Sequence, residues 1–193
     1  MNKEKNSKWY DNHYCKFFSK GGKYDTEYKD SVYFDLWSKI IDLVNDNESI
    51  ADFGCGVGQF ASFATSENKK YVLGVDFSSV AVKEAKLNNQ NIQNVFVCSN
   101  LFDSSIYTSC EYDVAVFCEV LEHIEKDKEI LSLVPAGKKV IVSLPLYDAL
   151  SHVRFFLDEK DVIKRYQDSM KILFAYTIKL TKRATCVVLY AEK

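Results

Sequence analysis

The chain has 193 residues, 47% hydrophobic and 27% charged, with a formal net charge of −2. That length suits one domain with a full core, and the near-neutral balance gives no global basic field to recruit nucleic acid. The polar start Met1-Asn-Lys-Glu-Lys-Asn-Ser-Lys8 does not read as a secretory leader, and no stretch approaches the roughly 20 apolar residues that span a bilayer. A cytoplasmic protein without membrane contact is expected.

Residues 1–48 stand apart from the rest. They are rich in Tyr, Trp and Lys and contain Gly21-Gly22. They are expected to form an N-terminal helical cap on the main unit, residues 49–193, within one compact domain. Tyr33, Phe34, Trp37, Ile40, Ile41 and Val44 recur at helical spacing and predict a helix over 31–44. Strands are expected at 49–53, 71–76, 94–98, 113–118 and 139–144. Helices are expected between them at 60–67, 79–89 and 119–133, the second capped by Ser78 or Ser79. Apolar runs this continuous suit strands covered on both faces. Alternating strand and helix means an α/β fold with right-handed crossovers.

Asp158 to Gln167 reads as a helix with Asp158 as cap. Two apolar runs follow, Lys171–Leu180 and Ala184–Ala191, separated only by Thr181-Lys182-Arg183. A parallel crossover needs a dozen or more residues, so these strands form an antiparallel hairpin. The predicted fold is a Rossmann-like, seven-stranded, mostly parallel sheet with one antiparallel strand from the C-terminal hairpin and helices on both faces. Six cysteines, at 15, 55, 98, 110, 118 and 186, include no C-x-x-C pair. Cys98, Cys118 and Cys186 lie in strand-like runs and read as buried free thiols.

The chemistry begins at Asp52-Phe-Gly-Cys-Gly-Val-Gly58, between the first strand and a helical segment. Glycines at 54, 56 and 58 allow a tight turn and close approach of a ligand to the backbone. The spacing is G-x-G-x-G, not the G-x-G-x-x-G of dinucleotide turns. The leading acid would repel a pyrophosphate and suits a cationic ligand. S-adenosylmethionine, with its sulfonium and ammonium, fits. Asp76 ends the second strand, 18 positions after Gly58, where an acid accepts hydrogen bonds from ribose hydroxyls.

These stretches resemble the class I S-adenosylmethionine-dependent methyltransferases, of the compact bacterial small-molecule type. The matching residues are 52–58, Gly74-Val-Asp-Phe-Ser78, Asp113-Val-Ala-Val-Phe-Cys-Glu-Val-Leu-Glu-His-Ile124 and Pro135-Ala-Gly137. The resemblance covers residues 49–191 and implies the same sheet with a closing hairpin. It also implies that Asp52, Gly54, Gly56 and Gly58 hold the methionine part of the cofactor. Asp76 would hold the ribose, Phe77 would pack on the adenine, and Asn100 with Leu101 would meet the adenine edge. Many relatives carry an acid at the Asn100 position. Glu119 would face the methionine end or the acceptor. The aromatic N-terminal segment would cover the cofactor, with Tyr24 and Tyr28 as acceptor-facing residues and Trp37 in the core.

At i, i+3 and i+4 on a helix, Glu119, Glu122 and His123 share one face. His152 follows the fifth strand at the same sheet edge. Glu119, His123 and His152 are therefore the candidate catalytic groups. His152 is a plausible base for a hydroxyl acceptor, and His123 competes for that role. Arg154 could bind an anionic acceptor group, unless it ties the loop down. His13 reads as a surface residue. The expected function is methylation of a small molecule, on oxygen, with a sugar, nucleotide-sugar or glycan precursor as acceptor and no nucleic acid. Two alternatives stand beside it. Glu119, Glu122, His123 and His152 could hold a divalent metal, as in methyltransferases that modify RNA 3′ ends. A non-catalytic cofactor-binding protein is the other.

Overall fold

Side chains that alternate between two apolar layers build this molecule's sheet. The computed structural model describes residues 2–18 and 26–193. Strands β1 (Ser49–Phe53), β2 (Lys70–Asp76), β3 (Phe96–Cys98), β4 (Val114–Cys118) and β5 (Lys139–Pro145) run parallel. They are followed by β6 (Lys171–Lys179) and β7 (Thr185–Glu192). The order is β3-β2-β1-β4-β5-β7-β6, and β7 is antiparallel to both its neighbours. This is the predicted seven-stranded sheet with one reversed strand.

Within β4, Val114 and Val116 face one layer while Ala115 and Phe117 face the other. Val140 and Ile141 of β5 alternate likewise. Burial on both faces explains why these strands read as unbroken apolar runs. Helices α2 (Phe34–Asp42) and α3 (Gln59–Ser66) bring Leu36, Trp37, Ile40, Phe60 and Phe63 to one face. Helices α5 (Asp127–Leu133) and α6 (Glu159–Tyr166) bring Ile130, Leu131, Val162 and Tyr166 to the other. There Phe53 stacks on Tyr107 at 4.6 Å and on Phe117 at 5.2 Å. Helix α4 (Ser79–Asn88) starts at Ser78, whose hydroxyl accepts from the Ala81 N–H. Asp158 caps α6 through the Asp161 N–H.

Three local expectations fail for physical reasons. The helix predicted over 119–133 is interrupted. Glu119 is left-handed at φ 56°, Leu121–His123 is a single 3₁₀ turn, and α5 starts only at Asp127. The chain climbs over the sheet edge here, and Arg154 donates to its carbonyls at Leu121, Ile124 and Glu125, the first of which also accepts from the Ile124 N–H that closes the 3₁₀ turn. Second, β3 starts at Phe96 because Gln90–Val95 turns as 3₁₀. Third, β3 is an edge strand of the sheet, and Cys98 is exposed rather than buried; Cys186 is buried and Cys118 lies between. In the N-terminal segment, expected to be helical, α1 (Ser7–Phe18) precedes α2 at a position that no residue spacing had marked. Tyr24 and Gly21-Gly22 lie outside the described residues. Among the described residues no helix is long and apolar enough to cross a membrane.

Candidate active site

Two adjoining cavities open along the carboxyl edge of the sheet, at the topological switch between β1 and β4, the usual ligand position in such sheets. The smaller, about 150 Å³, is lined by Asp76, Phe77, Asn100 and Leu101. The larger, about 240 Å³, is lined by Asp52, Glu122 and His152. Gly54, Glu119 and His123 border both.

The glycine turn is held tightly on the protein side. The N–H groups of Gly54 and Cys55 donate to the Val75 carbonyl at 2.7 and 2.9 Å. Gly54 has φ 101°, and a Cβ there would lie 2.3 Å from Val120 Cγ2. Gly58, at φ 77°, starts α3, and a Cβ there would meet the Asn89 amide at 2.6 Å. Asp76 accepts from the Gly56 N–H at 3.0 Å and the Ser78 N–H at 2.8 Å. Its burial nonetheless raises its pKa to about 6, against those bonds. Asn100 keeps its side-chain oxygen on the Phe102 N–H at 3.0 Å.

Asp52 is 1% exposed. Tyr71 donates to its Oδ2 at 3.0 Å, while Oδ1 has no hydrogen-bond partner. Burial, reinforced by the charge of Asp76, pushes its pKa up to about 7. A buried acid with an unmatched oxygen facing a cavity suits a cation. The methionine ammonium of S-adenosylmethionine meets that requirement.

Helix α1 covers this edge. Asp11 accepts from the Ser78 hydroxyl at 2.6 Å and binds the start of α4. Tyr10 lies 5.2 Å from the Phe77 ring and 6.0 Å from the His123 ring, between the two cavities. Trp9, Tyr14 and His13 also face the larger cavity, with His13 stacked on Trp9 at 4.8 Å. His13 is thus a wall residue rather than a surface one. Trp37 is buried and contributes to the same wall.

Glu119 is fixed by two residues the pattern did not single out. Its N–H donates to Ser143 Oγ at 2.9 Å, the Ser143 hydroxyl donates to its Oε1 at 2.9 Å, and Tyr147 reaches its Oε2 at 3.4 Å. Ser143 is the one hydroxyl in the apolar run of β5, and that alone could have drawn notice. Glu122 and His123 do not share a helical face with Glu119. They meet His152 instead, whose ring centre is 4.9 Å from that of His123. Glu122 is fully buried, and desolvation, with the charge of Glu119 next, holds its carboxyl well above the usual range.

Two expected acceptor contacts are corrected. Arg154 points away from both cavities. It donates to the carbonyls of Leu121, Ile124 and Glu125 and pairs with buried Asp127 at 3.2 Å. A guanidinium offers a fork of donors, and three backbone carbonyls use it here. Tyr28 packs its ring on Phe63 at 5.4 Å, as part of the α2–α3 layer, and lines neither cavity.

Sheet order and the acid-led glycine turn together set the class. The fold is that of the class I S-adenosylmethionine-dependent methyltransferases, and residues 51–134 carry a methyltransferase domain, which implies S-adenosylmethionine as the cofactor. Residues 51–134 match the family model of a methyltransferase domain, Methyltransf_12. Over 64 residues the chain is 42% identical to the 23S rRNA (uracil(1939)-C(5))-methyltransferase RlmD of Francisella tularensis subsp. novicida. That match takes in 32% of this chain and only 14% of that enzyme. The 1,6-didemethyltoxoflavin-N1-methyltransferase of Burkholderia thailandensis, solved with 1,6-didemethyltoxoflavin and S-adenosylhomocysteine, aligns at a TM-score of 0.72. It is 13% identical, over 95% of this chain and 87% of that one. The magnesium protoporphyrin IX methyltransferase ChlM of Synechocystis PCC 6803, solved with S-adenosylmethionine, aligns at 0.65. It is 19% identical, over 84% of this chain and 80% of that one. At such identities the likeness is one of fold.

Proposed function

We propose that this protein methylates a hydroxyl group of a small, neutral acceptor, such as a sugar unit of a glycan precursor. The observation that carries this reading is the larger cavity. It is lined by the glycine turn, by Trp9, Tyr10, Tyr33 and Trp37, and by Glu122, His123 and His152. At about 240 Å³ it lies below the roughly 300–1,000 Å³ usual for ligand pockets, which favours a small acceptor. Among the described residues its wall holds no Lys or Arg. With Arg154 engaged elsewhere, a nucleotide-sugar diphosphate or an RNA strand lacks a counter-charge here, so a neutral sugar is favoured over both.

When bound, S-adenosylmethionine supplies an electrophilic methyl: the acceptor oxygen bonds the methyl carbon as the carbon–sulfur bond breaks and its electron pair returns to sulfur. The chain's own residues position and exclude. Asp52 and the glycine turn hold the methionine end, Asp76 holds the ribose, and Phe77, Asn100 and Leu101 line the adenine side. Glu119, clamped by Ser143 and Tyr147, faces the join of the two cavities. His152 and His123 stand where the acceptor's proton must leave. Helix α1 shields the transfer from water.

The test is turnover of a panel of hydroxyl acceptors by the wild type and by His152→Ala and His123→Ala. Loss of the base lowers kcat by roughly 10²–10⁴-fold. Wild-type turnover in both variants would overturn the proton-accepting role. Tight S-adenosylhomocysteine binding without transfer to any acceptor would favour a non-catalytic cofactor-binding protein.

A further inference from the structure

The histidine side of the larger cavity gathers groups that want one cation. Glu122, His123 and His152 each present a ligand-capable atom, and these atoms lie within 4.8 Å of one another. Glu122 is 0% exposed and neither carboxyl oxygen has a hydrogen-bond partner. His123 Nε2 stands 3.4 Å from its Oε1. Both imidazoles are oriented from behind. His123 Nδ1 lies 3.0 Å from the Ser151 carbonyl, and His152 Nδ1 lies 3.2 Å from the Tyr147 carbonyl. A carbonyl only accepts, so in each neutral ring the proton sits on Nδ1 and Nε2 carries the lone pair. The Glu122 carboxyl and the Nε2 atoms of two imidazoles therefore converge, and the buried carboxyl, which has no hydrogen-bond partner, is costly to ionise unless a cation is shared. A carbonyl behind each imidazole is also the support that metal-binding histidines have.

We propose that Glu122, His123 and His152 bind one divalent transition-metal ion, whose open coordination positions face the cavity and take the acceptor oxygen. Two imidazoles and one carboxylate suit zinc, manganese, iron or cobalt, whereas magnesium and calcium prefer all-oxygen sets. Bonds of about 2.0–2.2 Å place tetrahedral ligand atoms roughly 3.3–3.6 Å apart, a spacing that the Glu122–His123 pair already has. Glu119 is not a ligand, because Ser143 and Tyr147 hold its carboxylate. This inference rests on the reading of the cavity as the acceptor chamber and changes one part of it. With the ion present, coordination lowers the pKa of the acceptor hydroxyl, and the two imidazoles act as ligands rather than bases.

The test uses the full chain, stripped by a chelator and titrated with Co²⁺, with S-adenosylhomocysteine binding measured in parallel. The expected result is one Co²⁺ per chain, with visible d–d bands and no thiolate-to-cobalt charge-transfer band, which separates this site from the cysteines. Zn²⁺ displaces the cobalt. Glu122→Gln, which keeps the side-chain shape, and His152→Ala each weaken Co²⁺ binding by at least roughly tenfold and still bind S-adenosylhomocysteine. Absence of cobalt bands in the wild type, a thiolate band, or unchanged affinity in both variants overturns the metal site. If S-adenosylhomocysteine still binds in that case, the methyltransferase reading stands. A chain that binds neither overturns both.

Discussion

The two ends of this cleft are built on opposite principles. At the cofactor end most polar groups are satisfied by the chain itself: Asp76 takes two backbone N–H groups, and the glycine turn hangs from the Val75 carbonyl. At the histidine side of the larger cavity, neither carboxyl oxygen of Glu122 has a hydrogen-bond partner although the side chain is fully buried. Asp52 lies between the two regimes, with one oxygen matched and one not. A satisfied site is shaped by the backbone before any ligand arrives, whereas an unsatisfied one depends on the ligand for part of its stability. The first kind tolerates little change in shape, and the second little change in charge.

The largest effect on cofactor binding should come from disturbing shape at the satisfied end. Gly54→Ala places a Cβ against Val120 on a left-handed backbone that costs a non-glycine residue about 1–3 kcal/mol. Val120 precedes the buried Leu121 and follows Glu119, so it has little freedom to yield. S-adenosylhomocysteine affinity, measured by calorimetry, should fall roughly 10- to 100-fold, as that strain implies. Arg154→Ala provides the contrast. It removes charge-assisted bonds to three carbonyls and to Asp127, at about 1.5–3 kcal/mol. The loss should appear as a lower melting temperature, with the KM for the acceptor unchanged. A raised KM with unchanged stability would return Arg154 to acceptor binding.

The satisfied end was also the legible one. A tight turn demands glycines at fixed spacing, and a two-faced sheet demands continuous apolar strands, so 49–58, 70–76 and the hairpin could be read directly. The histidine side was not legible, because its geometry depends on contacts remote in sequence. The apolar rhythm of 119–133 is helical, yet Arg154 and Ser143 bind the backbone into another path. That path brings Glu122 and His123 to His152 and leaves Glu119 with Tyr147. Tyr71 reaches Asp52 past Gly74, where a Cβ would lie 2.7 Å from its hydroxyl, and no local signal marks that pairing. Helix α1 was hidden for another reason. Its aromatic residues serve the cavities and the core together, so its apolar stripe is diffuse.

A pH profile tests the intermediate position of Asp52. In the empty protein Asp52 holds its proton up to about pH 7 and Asp76 up to about 6, against an ordinary 3.8 for both. Between 3.8 and those values the folded chain binds more protons than the unfolded one. The empty protein should therefore lose stability as pH rises through that window and level off above it. A cationic ligand favours the ionised carboxylate, so binding below pH 7 must expel a proton. S-adenosylhomocysteine affinity should thus climb with pH, by at most about tenfold per unit for each proton released, and flatten above pH 7. In Asp52→Asn the rise between pH 6 and 7 should vanish. A flat wild-type profile would mean that Asp52 does not face the ammonium.

The smallest effect separates charge from shape at Glu119, which borders both cavities. Tyr147→Phe removes one hydroxyl that reaches Glu119 at 3.4 Å, a length at the weak end of hydrogen bonding. Ser143→Ala removes two bonds at 2.9 Å, one of them to the Glu119 N–H, and a buried donor left unmatched costs about 1–3 kcal/mol. Because Glu119 sits at φ 56°, a conformation non-glycine residues rarely hold unaided, the Ser143 bond helps to keep the backbone there. Turnover should therefore drop only about two- to threefold in Tyr147→Phe, below the worth of a typical hydrogen bond. It should drop roughly tenfold in Ser143→Ala, with acceptor KM and S-adenosylhomocysteine affinity moving together, because Glu119 adjoins both ligands. If Ser143→Ala lowers stability alone and leaves both affinities intact, Glu119 belongs to the scaffold, and the join between the two cavities is carried by His123 and Tyr10.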